Sequence, residues 1–482
     1  MKYLILLTSI FLGQAYGQEF VLNEEVLYNF VKAGEAPSLK QIESSLIESQ
    51  NQKLQFEDQF KTSAFSQGSY VKTKEEALIS FQPIFSPASD IAVGAQKNLK
   101  YGVQLQASVG AANRDFVFSG VDTSRTISLA SVTANIDLWK NLMGRITKAQ
   151  SESLELGLKS AKLQKSVQTQ IFLNNLRMLY WQLVSNDEQF KISKKLLKSA
   201  VRQEKEAVER LKNSVADKGE VARYRAQVAT RQSQLTSIEF QRQQIVKALR
   251  ELLPELNGKE ISLGKLTLDN TVDSVLQCVG MLKSKQETPL QYSLYDDLNL
   301  LLNSLQNQQV QIAEAYSKPD LVLTTGIQTS AVNDNTSGAF EEAFNEEREG
   351  YSVGLQLNIP IGFKDTKKQL VKAEKIKTEY QVKKNLAVLD SQHQFINKSI
   401  AYLLSAIESQ GVSKKNLEIR VADVKRKYKQ GRISVTEYIV DQDNLLQTEL
   451  QIVETKFLVV KTLLDYLSIF THTPCAFNRI VI

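Results

Sequence analysis

Two long stretches of the sequence contain no proline. None occurs between Pro87 and Pro254, or between Pro360 and Pro474. Within them, residues 146–211 and 366–429 are rich in Leu, Lys, Gln, Glu and Ala, which favour helix. At 1.5 Å per residue, a helix of about sixty residues spans about 90 Å, more than the width of a globular core. A fold that contains helices of this length is expected to be elongated.

Each long helix is predicted to turn back on itself. The first turn is Asn213–Gly219, followed by a returning helix over Glu220–Leu253. The second turn is at Gln430-Gly431, followed by a helix from Ser434 to about Phe470. Such helices can bury an apolar stripe only against their hairpin partner or against other copies of the chain, as in coiled coils.

Four segments have the two-residue periodicity of a strand. In Tyr351–Ile359 the apolar positions alternate with Ser, Gly, Gln and Asn before Pro360 stops the pattern. About nine to eleven residues are what a tilted membrane strand needs, with an aliphatic face toward lipid and a polar face toward a wet lumen. A half-buried strand of a soluble sheet is the alternative. The other three predicted strands are Tyr101–Ala111, Thr126–Leu138 and Asp320–Ser330.

The order of these elements repeats. Each half reads helix, two strands, long helix, tight turn and returning helix, which indicates a duplication. Four strands cannot close a barrel, for which about eight is the practical minimum, so a barrel would have to be shared between chains. We expect a bulge between Leu129 and Val132, where the apolar face of the strand changes phase. Polar loops are expected at Asn113–Arg125 and, with an acidic character, at Ala331–Gly350.

The N-terminal region is predicted to begin with a secretory signal. Residues 1–17 have a positive start, a short apolar run and Ala15-Tyr16-Gly17, the features of a secretory signal, and we expect cleavage after Gly17. A short helix, a turn at Gly34–Pro37 and a second helix capped by Ser38 and continuing to about Phe60 follow. The pattern of residues 63–98 is mixed, with a possible extended piece at Ala77–Phe85.

Composition excludes several functions. No later segment has the eighteen or so apolar residues of a spanning helix, which leaves a soluble protein or a closed β-barrel. The net charge of +6 is spread over helical faces rather than clustered with aromatics, so nucleic-acid binding is not indicated. His393 and His472 lack a catalytic or metal-ligating constellation, so we expect no enzyme, cofactor or metal. Cys278 and Cys475 can form a bridge or remain two separate thiols.

Several motifs together resemble one family. The segment YKQGRISVTEYIVDQDNLLQTEL, Tyr428–Leu450, resembles the second hairpin tip of the TolC-type outer-membrane channel-tunnels, and LKNSVADKGEVARYRAQVATRQSQL from Leu211 is its first-repeat counterpart. Ser214 then sits where Gly431 does, and Glu220 where Glu437 does. Leu357–Gly362 resembles the family's strand-to-helix joint, and Lys318-Pro319-Asp320-Leu321 resembles its helix-to-strand joint.

The resemblance implies a mainly α fold with a membrane β-barrel part, in which tandem helical hairpins and four strands per chain form a trimeric channel-tunnel. Three chains would share a twelve-stranded barrel in outer-membrane lipid of a Gram-negative bacterium, above a periplasmic helical tunnel. The implied segments are a signal peptide (1–17), N-terminal periplasmic helices with an equatorial segment (18–100), a first β-hairpin (101–138), a first long helical hairpin (139–256), an equatorial connector (257–290), a periplasmic helix (291–318), a second β-hairpin (319–362), a second long helical hairpin (363–472) and a C-terminal tail (473–482).

The implied function is an exit duct for efflux or type I secretion. The partners would be two further copies of the chain, a periplasmic adaptor protein, and an inner-membrane pump that is proton-driven or ATP-driven. The hairpin tips would contact the adaptor. The residues expected at those contacts are Ser214, Asp217, Gly219, Glu220, Gly431 and Ser434.

The resemblance also implies a periplasmic gate. Glu437 occupies one acidic column of the family, whereas a second falls on Val440, with Asp441 beside it and four residues from Glu437. The family's latch arginine falls on Ile433, next to Arg432, and Tyr428 keeps the aromatic position. A ring of carboxylates would favour cations. The gate residues expected are therefore Glu437, Asp441, Tyr428 and Arg432.

Two other classes compete with this interpretation. A non-conducting structural or adhesive coiled coil of the envelope would explain the helices but not the strands or the duplicated order. A periplasmic adaptor would carry one hairpin inside β-rich flanking domains rather than two hairpins in tandem. Solvated carboxylates near a helix N-terminus are likewise an ordinary alternative to a gate.

Overall fold

The computed structural model describes residues 19–34, 36–74, 84–118, 121–264, 268, 271, 272, 294–316, 318–345, 348–359 and 364–469. The signal peptide, both cysteines, His472, the tail and most of the connector lie outside these residues. The helices are α1 Glu24–Ala33, α2 Pro37–Asp58, α3 Arg145–Lys212, α4 Lys218–Leu252, α5 Leu294–Tyr316, α6 Thr336–Asn345, α7 Lys364–Lys429 and α8 Val435–Ile469. The strands are β1 Glu19–Leu22, β2 Ser63–Val71, β3 Ala88–Leu99, β4 Val103–Phe118, β5 Val121–Asp137, β6 Glu260–Leu263, β7 Asp320–Asn333 and β8 Glu349–Asn358.

The two long helical hairpins are confirmed. Helix α3 has 68 residues and α7 has 66, within two residues of the predicted boundaries at both ends. Their returning helices α4 and α8 have 35 residues each. Among the described helices, none combines the length and the apolar content that crossing a bilayer requires. The absence of proline and the surplus of strong helix formers explain why these helices run without a break.

The described residues fall into two compact units, of which one takes its residues from Met1–Ser44, Leu163–Asp297 and Asn385–Ile482. Its core lies among α1, α3, α4, α7 and α8, and includes the fully buried Leu27, Trp181 and Leu463. Strand β1 pairs in parallel with β6 at this core. A buried ion pair joins α1 to α3, with Arg177 Nε 2.6 Å from Glu24 Oε2. The indole Nε1 of Trp181 donates to Glu24 Oε1.

The other unit takes its residues from Ser45–Lys162 and Leu298–Lys384 and contains a continuous antiparallel sheet. The four predicted strands are present in it as β4, β5, β7 and β8. The predicted count of four strands per chain is wrong, however, because the described part of the sheet has six strands, in the order β2-β3-β4-β5-β7-β8. Residues 63–71 and 88–99, expected in the N-terminal periplasmic segment, are its additional hairpin.

Three local expectations are also corrected. The pairing of β5 is continuous on both sides, so no bulge lies between Leu129 and Val132; Leu129 simply faces the polar side of the sheet. The predicted loop at Asn113–Arg125 is mostly strand, since β4 and β5 stay paired up to Phe118 and Val121. Helix α2 starts at Pro37, which suits the first helical position, and Ser38 lies inside the helix rather than capping it.

The acidic loop between β7 and β8 contains a helix that the sequence analysis missed. Helix α6 packs against the ends of β5 and β7, where Ser128 Oγ donates to the carbonyl of Ala339 at 2.7 Å. Small residues make the close packing possible, because Ser128 and Ala339 are both fully buried. The alternating pattern of a strand ends at Asn333, and the ten residues of α6 are too few to give a strong helical period.

One face of the sheet is exposed and apolar. Val93, Val132, Ile327 and Val353 each leave more than half of their surface in solvent. Directly paired residues lie on the same face, so the register places Val93 beside Val109 and Ile327 beside Tyr351. Exposed aromatics flank this face: Tyr70 and Tyr351 near one end of the strands, Tyr101 and Trp139 just beyond the other. Transmembrane β-sheets have such an apolar band between aromatic girdles.

Candidate functional site at the hairpin tips

The turns of the two helical hairpins have the same backbone structure. Ser214 and Gly431 both adopt the left-handed conformation, with φ of 57° and 68°. The amide of Ser214 donates to the carbonyl of Leu211 at 3.0 Å, and the amide of Gly431 donates to that of Tyr428 at 2.9 Å. The next amide in each turn donates one residue further back: Val215 donates to the carbonyl of Arg210, and Arg432 donates to that of Lys427. This is a Schellman-type helix end, and it places Ser214 and Gly431 at equivalent positions of the two repeats.

The helices after the turns are capped in equivalent ways. The Asp217 carboxylate accepts from the amide of Glu220 at 2.6 Å, and the Ser434 hydroxyl accepts from the amide of Glu437 at 3.2 Å. Both are standard N-cap bonds to the third residue. Gly219 lies in the first turn of α4 beside the Asp217 carboxylate. The residues expected at the adaptor contact thus form the two turns and the helix starts that follow them.

A small apolar cluster joins the two tips, which we define as residues 202–225 (first tip) and 423–439 (second tip). Val221 and Tyr224 of the first hairpin pack with Val435 and Ile439 of the second. At its edge the ring of Tyr428 stacks on that of Tyr438, with centroids 5.7 Å apart. Tyr428 therefore belongs to the contact between the hairpins.

The hydroxyl of Tyr428 links the hairpins by a hydrogen bond. It donates to Glu206 Oε2 on α3 at 3.2 Å. Burial raises the pKa of Tyr428 above its usual value of 10.0, and the negative charge of Glu206 adds to this rise. The hydroxyl therefore stays protonated, and remains a donor, throughout the neutral range.

The two expected gate carboxylates lie in different environments. Asp441 is 3% exposed, and both of its oxygens are within 2.9 Å of Arg420 Nε on α7. Glu437 is exposed in the first turn of α8. Hydrogen bonding to Asp441 raises the pKa of Arg420 above its usual value, the Asp441 charge adds to this, and Glu437 adds a smaller electrostatic contribution. Asp441 thus pairs across its own hairpin, and Glu437 is the carboxylate open to solvent.

Further polar contacts hold α8 against the first hairpin. Asp443 accepts from Arg231 at 3.0 Å and from Gln227 at 2.7 Å, both on α4. Thr436 accepts from Arg223 at 3.0 Å. Because the Arg231 and Asp443 side chains are only 11% and 20% exposed, water screens this ion pair little.

The exposed charges of the tips are mainly basic, which the sequence analysis did not expect. Arg432, the fourth expected gate residue, is exposed beside Gly431. The exposed carboxylates of the tips are Glu209, Asp217 and Glu437. The exposed basic residues are Arg202, Lys205, Lys212, Lys218, Arg223, Arg225, Lys425, Arg426, Lys429 and Arg432.

The sequence patterns did not predict roles for Arg420, Glu206 or Arg231. Hairpin geometry could have predicted the contact of Arg420 with Asp441, because residues equidistant from a tight turn face each other. Gly431 lies almost midway between Arg420 and Asp441. Glu206 and Arg231 contact the other hairpin, and no spacing rule within one hairpin predicts that register.

Within the described residues, no three His, Cys, Asp or Glu side chains come together in a way that could hold a metal ion. The charged groups of the tips instead pair with one another, as in Arg210 to Glu220 at 2.9 Å. The arrangement serves to hold helices together and to present charge.

The chain is similar in structure to outer-membrane channels over nearly its whole length. It matches the CmeC outer membrane channel of Campylobacter jejuni with a TM-score of 0.65 at 14% identity, over 96% of this chain and 92% of that one. The match to VceC of Vibrio cholerae has a TM-score of 0.64 at 14% identity, over 92% and 96%. The open-state MtrE channel of Neisseria gonorrhoeae gives 0.64 at 13% identity, over 92% and 88%.

No protein-family model matches the chain, and no curated protein matches it. At such low identity the similarity concerns the fold, in which paired long helices alternate with a strand region. The expected fold class is confirmed: this chain has the α/β channel-tunnel fold of the TolC-type outer-membrane channels.

Proposed function

We propose that this protein is the outer-membrane exit duct of a tripartite efflux or type I secretion system. It would conduct substrates passively from a periplasmic adaptor and pump to the cell exterior. The observation that carries the proposal is a channel fold matched over 96% of the chain, combined with an exposed apolar sheet face between aromatic residues. A lipid-facing surface accounts for that face, whereas a soluble coiled-coil protein would have no use for it.

The same observations support a location in the outer membrane and an assembly of three chains. A sheet with two open edges leaves backbone N–H and C=O groups unpaired, and lipid cannot satisfy them. Other copies of the chain supply the missing partners in the simplest way. The helical hairpins would then form a periplasmic tunnel.

The hairpin tips are the proposed contact for the adaptor. Ser214, Asp217, Gly219, Glu220, Gly431 and Ser434 build two equivalent turns there, and the basic side chains around them favour an acidic surface on the partner. Raising the salt concentration should weaken this association, because exposed charge pairs are screened. The inner-membrane pump would supply the energy.

The gate is proposed to involve Glu437, Tyr428, Arg432 and Asp441 in different ways. Glu437 is the exposed carboxylate that can line the entrance. Tyr428 would hold the second hairpin against the first through Glu206, and Asp441 joins the two helices of the second hairpin to each other through Arg420. Arg432, a cation five positions before Glu437 in the chain, would moderate the cation preference of the entrance.

Single-channel recordings in planar bilayers test the duct. Wild type should form pores that divalent cations block from the periplasmic side, and Glu437→Ala should weaken the block. Glu454→Ala is the matched control, because Glu454 is an exposed residue of the same helix about 25 Å farther along it. An outer-membrane trimer that forms no pores would contradict conduction. A soluble monomer would instead favour the coiled-coil alternative.

A further inference from the structure

The first repeat contains one β-hairpin more than the second. In the second repeat, α5 leads into β7 and β8 and then into α7. In the first, α2 leads into four strands, β2 to β5, before α3 begins. Strand β3 pairs with β4 along twelve residues, and β2 pairs with β3 along nine. The added hairpin is therefore a full member of the sheet.

The added strand β3 continues both faces of that sheet. On the apolar face, Ile91 and Val93 are 65% and 53% exposed and lie opposite Ala111 and Val109 of β4. On the polar face, Gln96 lies opposite Gln106. A hairpin folded away from the membrane would not keep its large aliphatic side chains in solvent on the side that faces lipid in the neighbouring strands.

Glycines fix the hairpin tightly in place. A Cβ at Gly94 would come within 2.5 Å of the carbonyl of Ala107. At the turn between β3 and β4, a Cβ at Gly102 would be 2.4 Å from the carbonyl of Asn141. Gly102 has a φ of 80°, which suits glycine. The turn between β3 and β4 thus packs against the connection between β5 and α3.

The two edges of the sheet are complementary. Strands alternate in direction across the six, so β2 and β8 run antiparallel to each other, and within the described residues neither pairs on its outer side. Full overlap of the nine residues of β2 with β8 of another copy places Ala64, Gly68 and Tyr70 opposite Leu357, Val353 and Tyr351. All six then lie on the apolar face. Ala64 and Gly68 are small where Leu357 and Val353 are large. The two tyrosines meet at the same end of the strands.

From these observations we infer that β8 of each copy pairs with β2 of the next, so that three copies close an eighteen-stranded barrel rather than a twelve-stranded one. This inference rests on the proposed trimeric duct. Barrel diameter grows roughly linearly with strand number, so the barrel would be about 1.5 times as wide as a twelve-stranded one, with a correspondingly wider lumen. The occupant of both sheet edges is another copy of this chain.

Disulfide cross-linking tests which strands meet. In the full chain with Cys278→Ser and Cys475→Ser, the pair Gly68→Cys with Val353→Cys joins β2 to β8. Gly68 has room for a side chain, since the nearest atom to its Cβ would be 3.9 Å away. The pair Ala107→Cys with Val353→Cys joins β4 to β8, as a twelve-stranded barrel would require. Mild oxidation should yield covalent dimers and trimers from the first pair and none from the second.

The cross-linking result decides whether β2 pairs with β8 between copies. Cross-links between β4 and β8, or no cross-links between chains, would overturn it. Pore formation by the same preparations reports separately on the duct, so pores without β2–β8 cross-links would leave the proposed function standing. Val93→Arg supplies a second measurement, because a charge on the lipid face should abolish the proposed trimer, which would be assayed by gel electrophoresis of unheated and heated samples. Gln96→Arg, on the lumen face of the same strand, should preserve it, and equal behaviour of the two variants would contradict the inference.

Discussion

Ser214 and Gly431 hold the same left-handed backbone conformation 217 residues apart, one in each helical hairpin. The same offset relates the capping residues Asp217 and Ser434. The turn geometry has therefore been kept in both repeats although the residues that form it differ. A serine in this conformation is strained by its Cβ, whereas a glycine is not.

Ser214→Gly should stabilise the first tip by about 0.5–1 kcal/mol, because it relieves the left-handed strain. Gly431→Ala should destabilise the second tip by a similar amount. No atom lies within 4 Å of a Cβ at Gly431, so the effect there would come from backbone strain alone. Amide hydrogen exchange of peptides covering the two turns measures both, as slower exchange in the first variant and faster exchange in the second. Faster exchange in Ser214→Gly would contradict the strain argument.

Tyr428→Phe should loosen the contact between the two hairpins. The variant loses the hydrogen bond to Glu206 but keeps the ring that stacks on Tyr438, so we expect a loss of about 1 kcal/mol and a higher open probability in bilayers. Tyr428→Ala, which also removes the ring, should have the larger effect. Because the pKa of Tyr428 is raised, the wild-type contact should hold below pH 10 and weaken as the pH rises beyond that. An unchanged open probability in both variants would argue against a latch.

Arg420→Ala should destabilise the second hairpin more than Arg420→Lys does, because it leaves the carboxylate of Asp441 buried without its counter-charge. Asp441→Asn should recover part of the loss when combined with Arg420→Ala. A double-mutant cycle based on thermal unfolding, followed by circular dichroism, measures the coupling. Additive effects of the two substitutions would mean that the ion pair contributes nothing.

Glu24→Ala should destabilise the chain by about 3–5 kcal/mol, because the buried guanidinium of Arg177 loses its carboxylate. Burial already lowers the pKa of Arg177, which shows how strongly its surroundings disfavour the charge. Thermal unfolding measures the loss, and the fluorescence of Trp181 should change because its indole also loses Glu24 as acceptor. Glu25→Ala, at an exposed position of the same helix, should have little effect and serves as the control.

The long helices and four of the strands could be predicted from the sequence because each has a simple local cause. Proline is absent from the long helices, and Val, Leu and Tyr alternate with polar residues in β8. Strands β2 and β3 were not predicted, and the reasons are equally local. Ser, Gly and Ala fill many of their positions, and Lys97 interrupts the apolar face of β3. The strand is therefore defined by its hydrogen-bonded pairing with β4, which the local sequence pattern does not show.

The environment of the tip carboxylates could not be predicted from spacing within one helix. Glu437 and Asp441 are four residues apart, which suggests a shared face, yet only one of them is buried. The difference comes from Arg420 on the facing helix. Contacts between the hairpins, such as Tyr428 to Glu206, depend on how four helices are registered against one another, and the sequence of one helix does not contain that information.

The extra hairpin has a consequence for how such a protein could change over evolutionary time. Strands in an antiparallel sheet alternate in direction, so an insertion of two leaves the polarity of both sheet edges as it was, whereas an insertion of one would reverse an edge and prevent the copies from joining. A closed ring in which every strand pair is antiparallel can therefore grow only by an even number of strands per subunit. Strands β2 and β3 amount to one such increment, and they leave the directions of the two edge strands opposite to each other.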